Sequence, residues 1–205
     1  MIRNVLLSFT GILLFAGFIH HPMPLLLLAI GGLAGAAAVI VFSTRHMLIL
    51  EAFGIRELNR KILLYILPAI VLGLILGVLT RQRFELTLIP AGLTGIAIVA
   101  PLIGAMEELV FRGYFQGQLR PIGKIFSIIT TSAFHTTYKL LVILTLAIPL
   151  QFDLSYLIFW TFVGGLLIGT LRELSGSTIP PVIAHAVFDI ILYGGLAIAP
   201  VWVWS

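Results

Sequence analysis

Three short stretches of this sequence place ionisable side chains inside apolar surroundings. The first is Met106-Glu107-Glu108-Leu109-Val110-Phe111-Arg112, two adjacent carboxylates with an arginine four residues after the second. On a helix Glu108 and Arg112 lie one turn apart and can pair, whereas Glu107 points about 100° away. Pairing neutralises one carboxylate and leaves the other without a cation of its own, free to act as a general base toward water. The second stretch is Ser132 to Lys139, where His135 and Lys139 share a helix face with Thr131. The third is His185-Ala186-Val187-Phe188-Asp189, two polar groups one turn apart, shortly after Pro180-Pro181, a dipeptide suited to a helix start. Each stretch alone has a plain explanation: a solvated helix end, an interhelical hydrogen bond, an intrahelical pair. Ionisable groups at membrane depth cost at least about 2.5 to 3.5 kcal/mol each on insertion scales, so three such stripes on three helices point to one shared site in a bundle interior.

The elements that must position these residues are apolar. Of 205 residues 60% are hydrophobic and 10% charged, against about 25% charged in soluble domains. Such a chain cannot cover itself with a water-facing surface. Apolar runs fall at about residues 5 to 19, 24 to 42, 62 to 79, 86 to 106, 124 to 149, 154 to 171 and 178 to 202, each near the roughly 20 residues that cross a bilayer as a helix. The expected fold is all-α, a polytopic transmembrane bundle of about seven to eight helices with a cytoplasm-facing polar cavity, built as one integral membrane domain over residues 1–205. The first run begins like a signal peptide, but His20-His21-Pro22-Met23-Pro24 contains no small-residue cleavage site, so it reads as the first span. Residues 43–61, with Arg45, Arg56, Arg60 and Lys61 among apolar side chains, read as an amphipathic interfacial helix. If the first span starts inside, this segment, the stretch Arg112 to Lys124 and Arg172 share one side, opposed by Arg81 and Arg83, and the positive-inside rule makes the first side cytoplasmic. The pairs Gly31 and Gly35, Gly73 and Gly77, and Gly165 and Gly169 have the four-residue spacing that lets helices approach closely.

The formal net charge of +4 comes from 12 basic residues gathered in a few loops, so no nucleic-acid partner is expected. The absence of cysteine removes disulfides, thiolate metal sites and a cysteine nucleophile. There is no HExxH zinc helix, no GxSxG serine elbow, no phosphate-cradling loop and no dinucleotide fingerprint. Carboxylate and imidazole chemistry remains.

The order Glu-Glu-x-x-x-Arg, a histidine at a helix centre, then His-x-x-x-Asn/Asp near the C-terminus resembles the CPBP family, also called the ABI family, of CAAX prenyl proteases and bacteriocin-processing intramembrane enzymes. The resemblance covers about residues 90–195 and rests on Glu107, Glu108 and Arg112 in the first motif and His185 and Asp189 in the last. In the middle motif Thr131 stands four residues before His135, where the family usually has phenylalanine. The resemblance implies a multi-pass membrane-embedded endopeptidase, in the cell membrane if the source is prokaryotic, with its active site toward the cytoplasm and membrane lipid around it. Its substrate would be a peptide or protein, prenylated or otherwise membrane-associated. Glu107 and His135 would hold and activate water, Glu108 and Arg112 would orient, and His185 with Asp189 would polarise the scissile carbonyl. It leaves open a metal-free glutamate mechanism or a zinc ion on Glu107, His135 and His185, since two histidines and a carboxylate satisfy a three-ligand catalytic site.

Two other classes fit the same residues. One is a small ion-coupled transporter with Glu107, Lys139 and Asp189 as a proton relay, which lacks the internal symmetry of many transporters. The other is a non-catalytic scaffold on the same frame. Asp189 also divides two mechanisms. An ionised carboxylate only accepts hydrogen bonds, so in the place of the family asparagine Asp189 must be protonated to donate to an oxyanion. Asp189→Asn is then expected to preserve or improve activity at neutral pH, whereas a 10-fold to 100-fold loss would mark Asp189 as a metal ligand or the acceptor that orients His185. The pH profiles of both proteins with and without a chelator separate the two.

Overall fold

The computed structural model describes residues 1–146 and 153–198. The ends of two predicted spans, residues 147–149 and 199–202, lie outside the described residues. Within them the fold is helical with no strand: α1 (Ile2–Phe18), α2 (Leu25–Thr44), the single turn α3 (Ile49–Ala52), α4 (Arg60–Arg83), α5 (Gly95–Glu108), a π-helical segment (Leu109–Phe115), α6 (Gln116–Leu119), α7 (Lys124–Leu144), α8 (Leu154–Ser175) and α9 (Ile179–Tyr193). Since α5, the π-helical segment and α6 form one continuous rod, the long helical elements number seven among the described residues. By length and apolar composition α2, α4 and α8 are able to cross a membrane, and α1 and α9 are shorter apolar helices. Large apolar side chains such as Val41, Phe42, Leu63, Leu64 and Leu67 stand exposed on α2 and α4, the reverse of a water-soluble surface.

Local signals account for the helix ends. Asn59 caps α4 by accepting a hydrogen bond from the Ile62 amide at 3.0 Å. Asp153 does the same for α8, taking the Ser155 and Tyr156 amides at 3.1 Å each. Gly176, at φ +77°, ends α8 in the left-handed conformation that glycine adopts without strain. Pro180 and Pro181 occupy the first turn of α9, where no helical amide is lost. On α7 the hydroxyls of Thr131, Ser132 and Thr136 donate to carbonyls one turn back, which satisfies them within an apolar helix.

Two expected elements differ. Residues 43–61 contain one helical turn, Ile49–Ala52, before α4 begins, so the long amphipathic helix is not formed. The reason is tertiary: Phe53 and Gly54, the latter at φ +67°, are held in a turn across the bundle end, where the Thr178 hydroxyl donates to the Phe53 carbonyl at 2.8 Å and the Thr178 amide to the Gly54 carbonyl at 3.0 Å. The fourth span starts at Gly95 rather than near residue 86. The intervening loop is tied down by the buried Arg81 side chain, which donates to the Thr87 carbonyl and to three carbonyls at the end of α9, those of Ile191, Leu192 and Gly194.

In the bundle α1 pairs with α2, α4 and α5 pack on α9, and α7 packs on α8. Small residues set these distances. Gly73 and Gly77 of α4 abut α9, and Gly165 and Gly169 of α8 abut α7 and the π-helical rod. Gly31 and Gly35 face open space, and the close contact of α1 with α2 is made one residue on, by Gly32 and Ala36 against Gly11. Gly104 has the least room at the polar centre of the bundle, because a Cβ there would stand 2.6 Å from Asp189 Oδ2 and 2.7 Å from His185 Cδ2. Gly104→Ala is expected to push α9 from α5 and destabilise the protein by about 1–3 kcal/mol, read as a lowered unfolding temperature in detergent, whereas Gly35→Ala should leave that temperature unchanged or slightly raised.

Candidate active site

The chain's polar stripes meet in the middle of the bundle. Glu107 and Glu108 lie in the last turn of α5, where the helix widens into the π-helical segment that carries Arg112. A π-helical turn shifts every following side chain around the axis, and such turns are frequent at functional sites. Here Arg112 stays within reach of Glu108, with Nε 3.4 Å from Oε2, and both side chains are wholly enclosed. The widened turn is braced from outside by Arg172 of α8, whose Nε donates to the Arg112 carbonyl at 3.1 Å.

His135 is held through both ring nitrogens and His185 through one. Arg112 Nη1 lies 3.3 Å from His135 Nδ1, and a guanidinium can only donate, so Nδ1 is the acceptor and the ring proton sits on Nε2. That Nε2–H points at Glu107 Oε2, 3.3 Å away. His185 Nδ1 donates to Glu108 Oε1 at 2.9 Å, which leaves its Nε2 facing Glu107 Oε2 at 4.0 Å. The aromatic ring of Phe111, also from the π-helical segment, rests against the His135 imidazole with centroids 4.6 Å apart.

Glu107, Glu108, Arg112, His135, His185 and Asp189 are thus brought together by α5, the π-helical segment, α7 and α9. Asp189 sits at the edge of this group: its Oδ1 is 3.9 Å from His185 Nε2, too long for a hydrogen bond, so Glu108 is the carboxylate that holds His185. One expectation is corrected. Glu107 does have a cation of its own, the Lys139 ammonium, with Nζ 2.7 Å from Oε1. The signal was present in the sequence, since Lys139 follows His135 by one turn, but which carboxylate it meets depends on how α7 docks against α5.

A cavity of about 140 Å³ rises from this cluster. Its floor carries Arg112, His135, Lys139 and His185, and its walls include Phe84, Trp160 and Phe188. Thr80 and Phe84 at the end of α4 and Tyr156 at the start of α8 carry it toward the bundle end where Arg83 pairs with Asp153. That is the end opposite Arg120 and Arg172, the more basic end of the bundle. At the basic end the Phe53–Gly54 turn lies over the start of α9.

The residues do not suit a metal ion in this arrangement. Among the described residues no three His, Asp or Glu side chains stand together as ligands. The ammonium of Lys139 already lies against Glu107, where a dication would meet its repulsion.

Residues 87–191 match the family described as Rce1-like, type II CAAX prenyl endopeptidase. No curated protein and no solved structure matches the chain.

The enclosed Glu108 and Arg112 set a measurable dependence. Their side chains are 0% and 1% exposed, so Arg112→Ala leaves a buried carboxylate without its cation and should cost about 3–5 kcal/mol of stability. Denaturant unfolding of the detergent-solubilised variant measures this, and unfolding unchanged from wild type would contradict the burial.

Proposed function

Because the chain belongs to the Rce1-like type II CAAX prenyl endopeptidase family, we propose that it is an intramembrane endopeptidase in which Glu107 activates water against a peptide carbonyl. The observation that carries this reading is the convergence on one oxygen: Glu107 Oε2 is faced by His135 Nε2 at 3.3 Å and His185 Nε2 at 4.0 Å. A 4.0 Å separation is too long for a direct hydrogen bond and short enough for a water to bridge at its edge. A water there gives one proton toward Glu107 and turns its second toward the His185 Nε2 lone pair. Its oxygen attacks the carbonyl carbon, a C–O bond forms, and the proton taken by Glu107 passes to the amine as the C–N bond breaks. General bases in this geometry contribute about 10²-fold to 10⁴-fold.

The supporting shell has separate duties in this scheme. His135 orients the base through its Nε2–H, with Arg112 fixing its tautomer. His185 is fixed by Glu108. Asp189 stands beside His185 without hydrogen-bonding it. No step requires zinc. The apolar walls suit hydrophobic peptide segments, and the family suggests substrates bearing a prenylated C-terminal motif. The basic residues at the Arg120 and Arg172 end support a cytoplasmic position for that end by the positive-inside rule.

Purified protein in detergent or vesicles should release a C-terminal peptide from a farnesylated model substrate. Glu107→Gln keeps the shape of the side chain and removes the base, and should lower kcat by at least about 100-fold. Equal cleavage by the wild type and this variant, measured by mass spectrometry of the released peptide, would sink the assignment of the base.

A further inference from the structure

Along α8 the lining of the cavity runs from Tyr156, beside Arg83, to Ile168 near the polar floor, a rise of about 18 Å at roughly 1.5 Å per residue. An extended peptide of about five residues has that length, at about 3.3–3.6 Å per residue, and it carries about ten backbone polar groups. The walls are not made to meet them. They are the interiors of α4, α8 and α9, whose amides and carbonyls are spent within the helices. Above the floor the described lining adds the hydroxyls of Thr80, Tyr156, Thr161 and Tyr193, and Thr80 already donates its own to the Leu76 carbonyl at 2.8 Å. A hydrocarbon chain asks for no partners there and gains by leaving water.

Gly164 lies in this wall and leaves it bare. A Cβ at Gly164 meets nothing within 4 Å, whereas one at the neighbouring Gly165 would stand 3.0 Å from the Ser132 side chain. Packing therefore accounts for Gly165 and not for Gly164, although glycine is a poorer helix former than alanine. Gly31 and Gly35 of α2 have open space too, but on an exposed face of the bundle; the space at Gly164 belongs to the cavity. Arg112 Nη2 lies 3.2 Å from where a Gly165 Cβ would stand, which sets Gly164 at the level where the polar floor gives way to apolar wall.

We propose that Gly164 is a specificity-determining residue, the bare helix position that lets the hydrocarbon chain of a lipid-modified substrate pass from the scissile amide at the floor into the groove. The inference rests on the hydrolytic reading of Glu107. The amide lies beside Glu107, and the chain on the neighbouring residue runs along α8 toward Tyr156. A side chain at Gly164 closes that passage, while its Cβ touches none of Glu107, His135 and His185. The wall reads apolar character and length, which isoprenoid and straight alkyl chains share.

The test uses one peptide carrying a farnesyl, an n-dodecyl or a methyl thioether beside the scissile bond, cleaved by the full chain in vesicles. Wild type should prefer both long chains over methyl in kcat/KM, and the better of the two tells an isoprenoid fit from a straight-chain one. Gly164→Leu should raise KM for the long-chain peptides by about 10-fold to 200-fold, the range that one apolar group commands in a pocket, with kcat within about threefold. It should leave kcat/KM for the methyl peptide within about threefold of wild type, and Gly35→Leu should leave all three substrates unchanged. An equal loss on the methyl peptide marks a disturbed base or fold, and no loss on any peptide marks a wall that the chain does not touch; either overturns the proposal. So does a wild type indifferent to the chain. Should Gly164→Leu fail to fold, Gly164→Ala decides, with a loss of at least about threefold confined to the long chains. A wild type that cleaves no peptide overturns the hydrolytic reading, and the groove is then judged by binding. A photoreactive diazirine at the far end of the farnesyl chain must label wall residues of α4 or α8 in wild type and fail to do so in the folded Gly164 variant. Labelling elsewhere overturns the proposal whether or not the peptide is cleaved.

Discussion

Glu107 and Glu108 are adjacent in the chain and buried together at mid-bundle, and the surrounding structure answers the repulsion and desolvation of that pair. Two carboxylates so placed are tolerable only if each has its own positive or hydrogen-bond-donating partners. The fold supplies them on opposite sides. Glu108 turns toward Arg112 and His185, while Glu107 turns toward His135 and Lys139. Four helical segments contribute one or two groups each, so the network is also what fastens α7 and α9 to the rod of α5 and the π-helical segment. Removing one member exposes the others' charges to one another, which is why structure and chemistry cannot be separated cleanly here.

The π-helical segment is the local device that makes the division possible. A regular helix would carry Arg112 a full turn along the same face as Glu108; the wider turn keeps that pair while bringing Phe111 against His135. It is stabilised from outside by Arg172, and Gln116 below it donates to the Gly169 carbonyl at 2.9 Å. Glycines at Gly104, Gly165 and Gly169 then let α9 and α8 come close enough for their side chains to reach the rod. Polar contacts and small-residue packing therefore depend on one another: the glycines permit the approach that the charges require.

Membership of the Rce1-like family fits a membrane protein with several candidate spans. The site lies within that apolar frame, between helices whose outer faces carry exposed leucines and valines. Arg112, His135, Lys139 and His185 line the cavity beside Glu107.

Composition alone determined the class of this protein, because a chain with one charged residue in ten has no soluble fold available, and the apolar runs located most of the helices. The spacing of Glu108 with Arg112, and the isolation of His135 and His185 in apolar segments, marked residues that the fold brings together, since such groups are costly to bury unless they are paired or face a polar interior. What spacing could not reveal were relations between helices. It assigned Glu107 no cation, yet Lys139 reaches it across the α5–α7 contact, and it could not tell that Glu108 rather than Asp189 holds His185. Nor could it distinguish Gly31 and Gly35, which face outward, from Gly32, which packs, because a shift of one residue turns a helix face by about 100°. The segment at residues 43–61 has the pattern of an amphipathic helix and forms one turn of it, since backbone hydrogen bonds to Thr178 hold Phe53 and Gly54 across the bundle end. Periodicity reports which face of an element is apolar; the docking of one element on another decides which polar groups meet.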